Sequence, residues 1–222
     1  MVCGMEGKMG KKTFREWTVR MAILITGLLI AHLGVTLFLL ANLGADPFNV
    51  LIQGLNRFTP FSHGITHACV CFLIIVFLLF ADRSYIKAGT LVCMAAGGPI
   101  IDMYTYLLGG LVNGDMYLPV RLLIVAAACM ILAFGMTVVI QSDAGTGPND
   151  LVAVVISDKC RKKFGPVRVI VDVLFVLTGV LLGGVFGIGT LICAFLVGTA
   201  AGYFMPLSRQ IVEQILQTAA ER

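Results

Sequence analysis

The sequence predicts an all-α membrane protein, a six-span helical bundle made of two inverted three-helix repeats, each with a short broken or re-entrant helix. Three observations predict this fold class: the composition, six apolar segments and an internal repeat. Of the 222 residues, 59% are hydrophobic and 13% are charged, whereas roughly a quarter of the residues in soluble domains are charged. The lipid bilayer is therefore the expected environment of this chain.

Six apolar segments are long enough to cross about 30 Å of hydrocarbon as helices, which takes roughly 20 residues. The basic stretch before the first segment is similar to the start of a signal peptide. Its apolar run from Met21 to Leu40 is too long for one, and no small-residue cleavage site follows. We therefore interpret it as the first span. The six predicted spans are 20–42, 61–81, 88–112, 119–141, 165–183 and 188–207.

The second half of the chain repeats the first. At an offset of 101 residues the coincident pairs are Arg20/Arg121, Gly34/Gly135, Thr36/Thr137, Gly44/Gly145, Pro47/Pro148 and Gly64/Gly165. Further along, at an offset of 100, Gly89-Thr90-Leu91 aligns with Gly189-Thr190-Leu191. Duplicated membrane bundles are typical of secondary transporters, whose sites tend to lie between the repeats.

The repeat divides the chain into four predicted parts. Two terminal parts are polar: a basic cytoplasmic tail over 1–19 and a cytoplasmic helix over 208–222. Between them lie the two repeats, each with three spans and one helix too short to span. The predicted ranges are 20–112 for repeat 1 with its short helix over 46–56, and 119–207 for repeat 2 with its short helix over 147–158.

The distribution of Lys and Arg predicts the orientation. With a cytoplasmic amino terminus, thirteen of the 16 lie inside, Arg168 lies within a span, and only Arg57 and Arg121 lie outside. This positive-inside bias places both termini in the cytoplasm. Because each repeat has three spans, an odd number, the second repeat starts on the opposite side of the membrane from the first. The two repeats are therefore predicted to be inverted.

Each short helix begins with glycine and proline. Proline suits the first helical position because its missing N–H would have no helical partner there. The exposed N–H groups and partly positive dipole of such a helix start can hold an anion or a carboxylate. Ordinary helix capping is the alternative, with Asp46 as the N-cap acceptor and Asn49 or Asp150 in the first turn. The predicted helix-positioning residues are Gly44, Pro47, Gly145, Gly147 and Pro148.

Ionisable residues within spans are costly in hydrocarbon and mark candidate sites. Arg168 and Asp172 lie four residues apart on one helical face and are predicted to pair. A buried structural ion pair and a substrate site both explain them. The candidate substrate-binding residues are Asp46, Asn49, Asn149, Asp150 and Asp172. The candidate polar lining residues are His67, Arg168, Asp102 and His32.

Other classes of function have no motif in the sequence. His63, His67 and Cys71 share one helical face, but no carboxylate or second histidine cluster completes a metal site. The glycine-rich stretch over 183–189 lacks the Lys-Ser/Thr of a phosphate loop, and no catalytic signature is present. The net charge of +4 comes from cations at segment ends, which does not indicate nucleic-acid binding. We therefore expect no enzyme activity, no cofactor and no metal.

Four stretches carry a resemblance to a known family. They are Ala41-Asn42-Leu43-Gly44-Ala45-Asp46-Pro47, Gly64-Ile65-Thr66, Ala144-Gly145-Thr146-Gly147-Pro148-Asn149-Asp150 and the glycine-rich run Leu182 to Thr190. At these residues the chain resembles the YczE branch of the YczE/YyaS/YitT group of bacterial membrane proteins. The resemblance implies a multi-pass protein of the bacterial cytoplasmic (inner) membrane and implies little about substrate. The chain has Phe48 and Asp172 where that group tends to have tryptophan and glutamate.

The predicted function is secondary transport of a small polar or anionic solute. The alternative is a non-transporting membrane scaffold or regulatory partner of another protein. A polar cavity between the repeats favours transport, and a solid apolar interior favours the scaffold. The expected partners are the lipid bilayer and an unknown small-molecule substrate, with no nucleic acid; homo-oligomerisation is left open.

Overall fold

The computed structural model describes residues 14–61 and 63–221, and this part of the chain is helical without any strand. It contains eight α-helices and one 3₁₀ turn over Arg83–Tyr85. The α-helices are α1 Phe14–Leu40, α2 Pro47–Asn56, α3 His63–Ala81, α4 Ala88–Leu108, α5 Leu118–Gln141, α6 Pro148–Cys160, α7 Phe164–Leu181 and α8 Ile188–Glu221. Most of the predicted basic tail, 1–13, lies outside the described residues.

Five helices, α1, α4, α5, α7 and α8, are long and apolar enough to cross a membrane. Helix α3 contributes a shorter apolar stretch, Ile65–Phe80. The all-helical class and five to six apolar helices therefore agree with the sequence-based prediction. The short helices α2 and α6 fall where the sequence predicts helices that are too short to span.

The last span and the polar carboxyl-terminal segment form a single helix. The sequence predicts two segments that meet near residue 207, whereas α8 continues through Pro206. Contacts beyond the proline explain the continuity. Ser208 is fully buried with its hydroxyl 2.6 Å from that of Thr137 on α5. Val212 packs with Ile23 of α1, so tertiary packing holds the helix past the residue that would otherwise end it.

Helices α1 and α5, the first helices of the two halves, cross at the centre of the fold. A Cβ on Gly34 would lie 2.6 Å from both the Ala128 carbonyl oxygen and the Leu132 amide nitrogen. Gly135, which is the repeat equivalent of Gly34, lies in the same way against the backbone of Ala31. No side chain fits at either position, so the two glycines set how closely the helices approach.

Equivalent arginines of the two halves make equivalent contacts with the opposite half. Arg121 on α5 donates hydrogen bonds to the carbonyl oxygens of Ala41 at 2.7 Å and Asn42 at 2.5 Å. Arg20 on α1 donates to the carbonyl oxygen of Ser142 at 3.1 Å. Each arginine therefore holds the loop that leads into the short helix of the other half.

These two loops also share an unusual backbone. Gly44 and Gly145 have φ angles of +133° and +147°, and the residues two positions earlier, Asn42 and Asp143, have φ angles of +51° and +56°. Glycine adopts the first conformation freely, and Asn and Asp tolerate the second better than other residues. The repeat in the sequence is thus also a repeat of local structure.

A second pair of equivalent bonds joins each loop to the start of a helix in the opposite half. The Gly189 amide of α8 donates to the Leu43 carbonyl oxygen at 2.9 Å, and the Gly89 amide of α4 donates to the Ala144 carbonyl oxygen at 2.9 Å. The short helices then reach into the opposite half: α2 packs mainly on α7, and α6 packs on α3 as well as on α7. Because α6 also packs on α7 within its own half, the crossing of α2 brings both short helices to α7.

Candidate functional site

Helix α2 begins in the protein interior with a carboxylate at its start. Asp46 is its N-cap, and the Asp46 side chain accepts hydrogen bonds from the Asn49 amide at 3.3 Å and the Asn49 side chain at 2.5 Å. Pro47 and Phe48, the first two helical residues, are buried. The capping arrangement expected from the sequence is therefore present, and it holds a carboxylate inside the bundle.

Helix α6 also begins in the interior, and its carboxylate lies in the first turn. Its N-cap is Gly147, which has no side chain to act as an acceptor. The Asn149 side chain instead donates to Asp150 Oδ1 at 2.9 Å. Asp150 is thus equivalent in position to Asn49, and it brings a negative charge to the positive end of α6.

Arg168 of α7 lies between two carboxylates. Its Nε donates to Asp172 Oδ2 at 2.9 Å, one helical turn away, and one of its terminal nitrogens pairs with Asp150 of α6. Arg168 is 6% exposed and Asp172 is 0% exposed. Asp172 Oδ1 is buried and has no hydrogen-bond partner in the described structure. Charges buried this deeply are stable only when they are paired.

Asp46 joins this group from the opposite half of the molecule. Both Asp46 and Asp150 are close enough to act electrostatically on Asp172. We call Asp46, Asp150, Asp172 and Arg168 the charged cluster. It contains three carboxylates and one guanidinium, and it is assembled from α7 and the starts of both short helices.

Aromatic rings lie beside the charged cluster. The Phe48 ring is 5.3 Å from the His67 ring of α3 and 5.4 Å from the Phe175 ring of α7. Phe175 follows Asp172 by three residues and shares its helical face. The Cys71 sulfur lies 3.7 Å from His67 Nδ1. His67 therefore joins the site through aromatic and sulfur contacts.

The remaining two candidate lining residues have different surroundings. His32 of α1 bonds through Nδ1 to the Leu28 carbonyl oxygen at 2.8 Å, and Asp150 is near enough to act on its charge. Asp102 of α4 is exposed and is not among the charges that act on Arg168 or Asp172. The structure therefore brings His32 toward the charged cluster and leaves Asp102 exposed on α4, away from it.

Three threonines near the short helices were not among the sequence-based candidates. Thr190 donates to the Ala45 carbonyl oxygen at 2.7 Å, and Thr90 accepts from the Thr146 amide at 3.4 Å. The Thr146 hydroxyl is buried with no partner in the described structure. Thr90 and Thr190 are identical across the repeat, and this identity is the signal that could have identified them.

The loop before α2 borders a cavity of about 520 Å³ on the predicted outer side. It reaches Gly44 and Ala45, which directly precede Asp46. Its lining residues are Asn42, Leu43, Gly44, Ala45, Gln53, Val185, Phe186 and Gly187. None of these lining residues is charged.

The equivalent loop before α6, on the predicted inner side, carries ion pairs. Asp143 stands where the outer loop has Asn42. It pairs with Lys87 at the start of α4 and lies 3.6 Å from Arg20 of α1. Arg20 also pairs with Glu16 at 2.9 Å. Charged side chains therefore link three segments on this face.

Comparison with known proteins gives a family without an assigned function. The family profile described as "Family of unknown function (DUF6198)" matches residues 18–206. The uncharacterized membrane protein YczE of Bacillus subtilis is 25% identical over 201 residues, covering 89% of this chain and 91% of that protein. The uncharacterized protein YyaS of the same organism is 23% identical, covering 82% and 90%. An uncharacterized protein of Haemophilus influenzae is 26% identical, covering 85% and 86%. No solved structure matches this chain.

Proposed function

The chain belongs to the DUF6198 family, and we propose that it is a secondary transporter of a small polar solute. The proposal places it in the bacterial cytoplasmic membrane with both termini in the cytoplasm. The observation that carries it is the charged cluster, in which four ionisable side chains lie near the points where two short helices begin inside an apolar bundle. Buried charges within membrane segments are expensive and commonly belong to solute or ion pathways.

The reciprocal contacts support an inverted relation between the halves. Arg20 and Arg121 bind opposite loops, and Gly89 and Gly189 do the same. Two interlocked halves of inverted topology can exchange conformations, which opens a central site to one side of the membrane and then to the other. Broken helices that start at the membrane midplane, as α2 and α6 are proposed to do, supply solute-binding groups in such proteins.

The predicted outer and inner faces of the molecule differ, and the difference fits a conformation that is open to the outside. A cavity borders the loop before α2, whereas ion pairs of Asp143 cross the equivalent position before α6. We assign the cavity to the outer entrance and the Asp143 ion pairs to a closed inner gate. No nucleotide-binding motif occurs in the sequence, so the proposed energy source is a solute or ion gradient, and no enzymatic activity is assigned.

Reconstituted protein tests the proposal. A thermal-shift screen against a metabolite library identifies solutes that bind the folded state, because such ligands raise the melting temperature. A binding solute should then enter sealed proteoliposomes down its gradient without ATP. Asp172→Asn should slow uptake by about tenfold or more, since it removes a charged partner from a buried site.

Glu213→Gln is the matched control for Asp172→Asn. It makes the same carboxylate-to-amide change in another i, i+4 ion pair, with Arg209 at 2.8 Å, but on an exposed surface. Uptake by Glu213→Gln should equal that of the wild type. Full uptake by folded Asp172→Asn protein would assign the charged cluster to structure alone.

The inverted topology has its own test. Single cysteines on a cysteine-free background should be labelled from outside near Asn113 and Gly184, and from inside near Arg83 and Lys162. This pattern follows from the excess of Lys and Arg on the predicted inner side. Labelling of positions 83 and 113 from the same face contradicts the inverted model.

The scaffold alternative rests on the exposed apolar surface of α3 and α4, which includes Phe72, Phe77, Phe80 and Tyr106. Such a surface suits lipid, and it also suits a membrane partner. The scaffold alternative predicts no flux of any solute and a stable partner that co-purifies with the chain. That pair of results would replace the transporter proposal.

A further inference from the structure

We propose that the solute is a small organic cation and that Asp172 binds its positive charge. This inference rests on the transport function proposed above and names the chemical class of its substrate. It is narrower than the polar or anionic solute expected from the sequence. Charge balance, an unpartnered carboxylate oxygen and the neighbouring rings each support it.

The charged cluster has an excess of negative charge. Arg168 balances one of its three carboxylates. Asp46 and Asp150 lie at the starts of α2 and α6, where each helix dipole supplies roughly half a positive charge. About one negative charge in the cluster therefore remains uncompensated, and a monovalent cation would balance it.

The hydrogen bonds of the cluster locate this excess at Asp172. Both Asp46 oxygens accept from Asn49, and Asp150 accepts from Asn149 and Arg168. Asp172 Oδ1 accepts from no described group, although it is completely buried. An unpaired acceptor in an apolar interior is destabilising, so this oxygen lacks a donor that a bound ammonium or guanidinium would supply.

The two carboxylates bonded to Arg168 disfavour the binding of an anion at its guanidinium. Its Nε is bonded to Asp172 and a terminal nitrogen to Asp150. An anion that approached the guanidinium would lie beside both carboxylates, and like charges at such distances repel strongly when they are shielded from water. Arg168 is therefore a positioning residue that holds the two carboxylates in place.

The surrounding rings favour an organic cation over a metal ion. Phe48 lies against His67 and Phe175, and Phe175 is one turn from Asp172. The faces of aromatic rings attract substituted ammonium groups. Within residues 14–61 and 63–221, no group of three His, Cys, Asp or Glu side chains is placed to hold a metal ion. One carboxylate oxygen beside apolar rings suits an alkylammonium better than a hard metal ion.

Charged probes and their neutral isosteres test this inference on the purified full chain in detergent. Choline, ethanolamine and guanidinium at millimolar concentration should raise the melting temperature. 3,3-Dimethyl-1-butanol and urea, which have similar shapes without the charge, should not. Asp172→Asn should weaken cation binding at least about tenfold, while the surface control Glu213→Gln should bind as the wild type does.

The outcomes separate this inference from the transport proposal. Cation binding without flux in proteoliposomes supports the ligand class and overturns transport. Flux of a neutral or anionic solute supports transport and overturns the ligand class. The ligand class is also overturned if sodium chloride alone raises the melting temperature as much as the organic cations do. It is overturned as well if none of the probes raises the melting temperature of folded protein. A current driven by an acid pulse alone, lost in Asp172→Asn, would assign the charge to a proton and overturn the organic cation.

Phe48→Leu provides a second variant that keeps the carboxylates intact. It removes the ring that contacts His67 and Phe175 while retaining apolar bulk. Choline binding should weaken by at least several-fold, since leucine has no ring face to attract the substituted ammonium group. Unchanged choline binding would show that the aromatic rings do not contribute to the site. It would overturn the preference for an organic cation over an inorganic one.

Discussion

Equivalent positions in the two halves carry charged side chains in the second half and neutral ones in the first. The charged trio is Asp150, Arg168 and Asp172, and the neutral trio at the same repeat positions is Asn49, His67 and Cys71. The spacing along the helices is the same, and Cys71 contacts His67 one turn away as Asp172 contacts Arg168. The repeat therefore provides two equivalent sets of three positions, and only the set in the second half is occupied by charged residues.

The two halves also differ in how tightly their last two helices pack. Helix α7 lies close to α8, where Gly198 faces the backbone of Val169 and Gly165 faces Gly202. At the equivalent position in α4, a Cβ on Gly98 would have nothing within 4 Å. The two halves thus share the central crossing of α1 and α5, whereas only the second half packs its last two helices closely.

Removing the central cation should produce the largest difference between the trios. Arg168→Gln leaves Asp150 and Asp172 buried without their guanidinium, which should cost roughly 3–5 kcal/mol of unfolding free energy. His67→Gln, at the equivalent position, loses a ring contact with Phe48 that is worth about 0.5–1.5 kcal/mol, and it leaves no buried charge unpaired. Denaturant unfolding in detergent micelles measures both variants.

Neutralising the carboxylates tests whether unpaired charge causes the stability loss in Arg168→Gln. Adding Asp150→Asn and Asp172→Asn to Arg168→Gln should recover part of the lost stability, because the unpaired charges are then gone. Equal losses for Arg168→Gln and His67→Gln would show that the charged trio is no more demanding than the neutral one.

Alanine at equivalent glycines should have opposite effects in the two halves. In Gly198→Ala the new Cβ would lie 2.9 Å from the Val169 amide nitrogen, and forcing α7 and α8 apart should cost about 1–3 kcal/mol. Gly98→Ala meets open space and should be neutral or stabilising by up to about 1 kcal/mol. Thermal unfolding of the two variants side by side measures the difference; a loss of stability in Gly98→Ala would mean that α3 and α4 pack closely.

The smallest expected effect concerns the loops before the short helices. Asp143→Asn gives the inner loop the residue of the outer loop, and asparagine tolerates its positive φ. Loss of the pairs with Lys87 and Arg20 should cost up to about 1 kcal/mol, because these groups are partly exposed. The difference from the wild type should shrink in high salt, and a difference that salt leaves unchanged would argue against an electrostatic gate.

Several features could be predicted from residue order alone, since they depend on local spacing. Runs of apolar residues predict helices because a bilayer leaves no water to satisfy exposed backbone groups. Glycine and proline before α2 and α6 predict helix starts, because φ and the missing N–H act within a few residues. Arg168 and Asp172 pair because positions i and i+4 meet on any α-helix.

Features that join distant segments could not be predicted in this way. Asp102 and Asp172 are both acidic residues within predicted spans, yet the first is exposed and the second is fully buried. The exposure of each aspartate depends on which face of its helix packs against neighbouring helices. Hydropathy does not reveal that face when a helix is apolar all round. The continuation of α8 past Pro206 could not be predicted from the sequence either. It depends on contacts that the residues beyond Pro206 make with α1 and α5.

The amino-acid sequence by itself determined the membrane class, the internal repeat, the short helices and one ion pair, because each follows from composition or from spacing within a few turns. Only the tertiary structure decided that Arg168 pairs with Asp150 as well as with Asp172, and that Asp46 from the first half lies near enough to act electrostatically on Asp172. The physical reason lies in the α1–α5 crossing and the reciprocal loop contacts. They carry each short helix into the opposite half, and so place charges more than 100 residues apart in the sequence within one buried cluster.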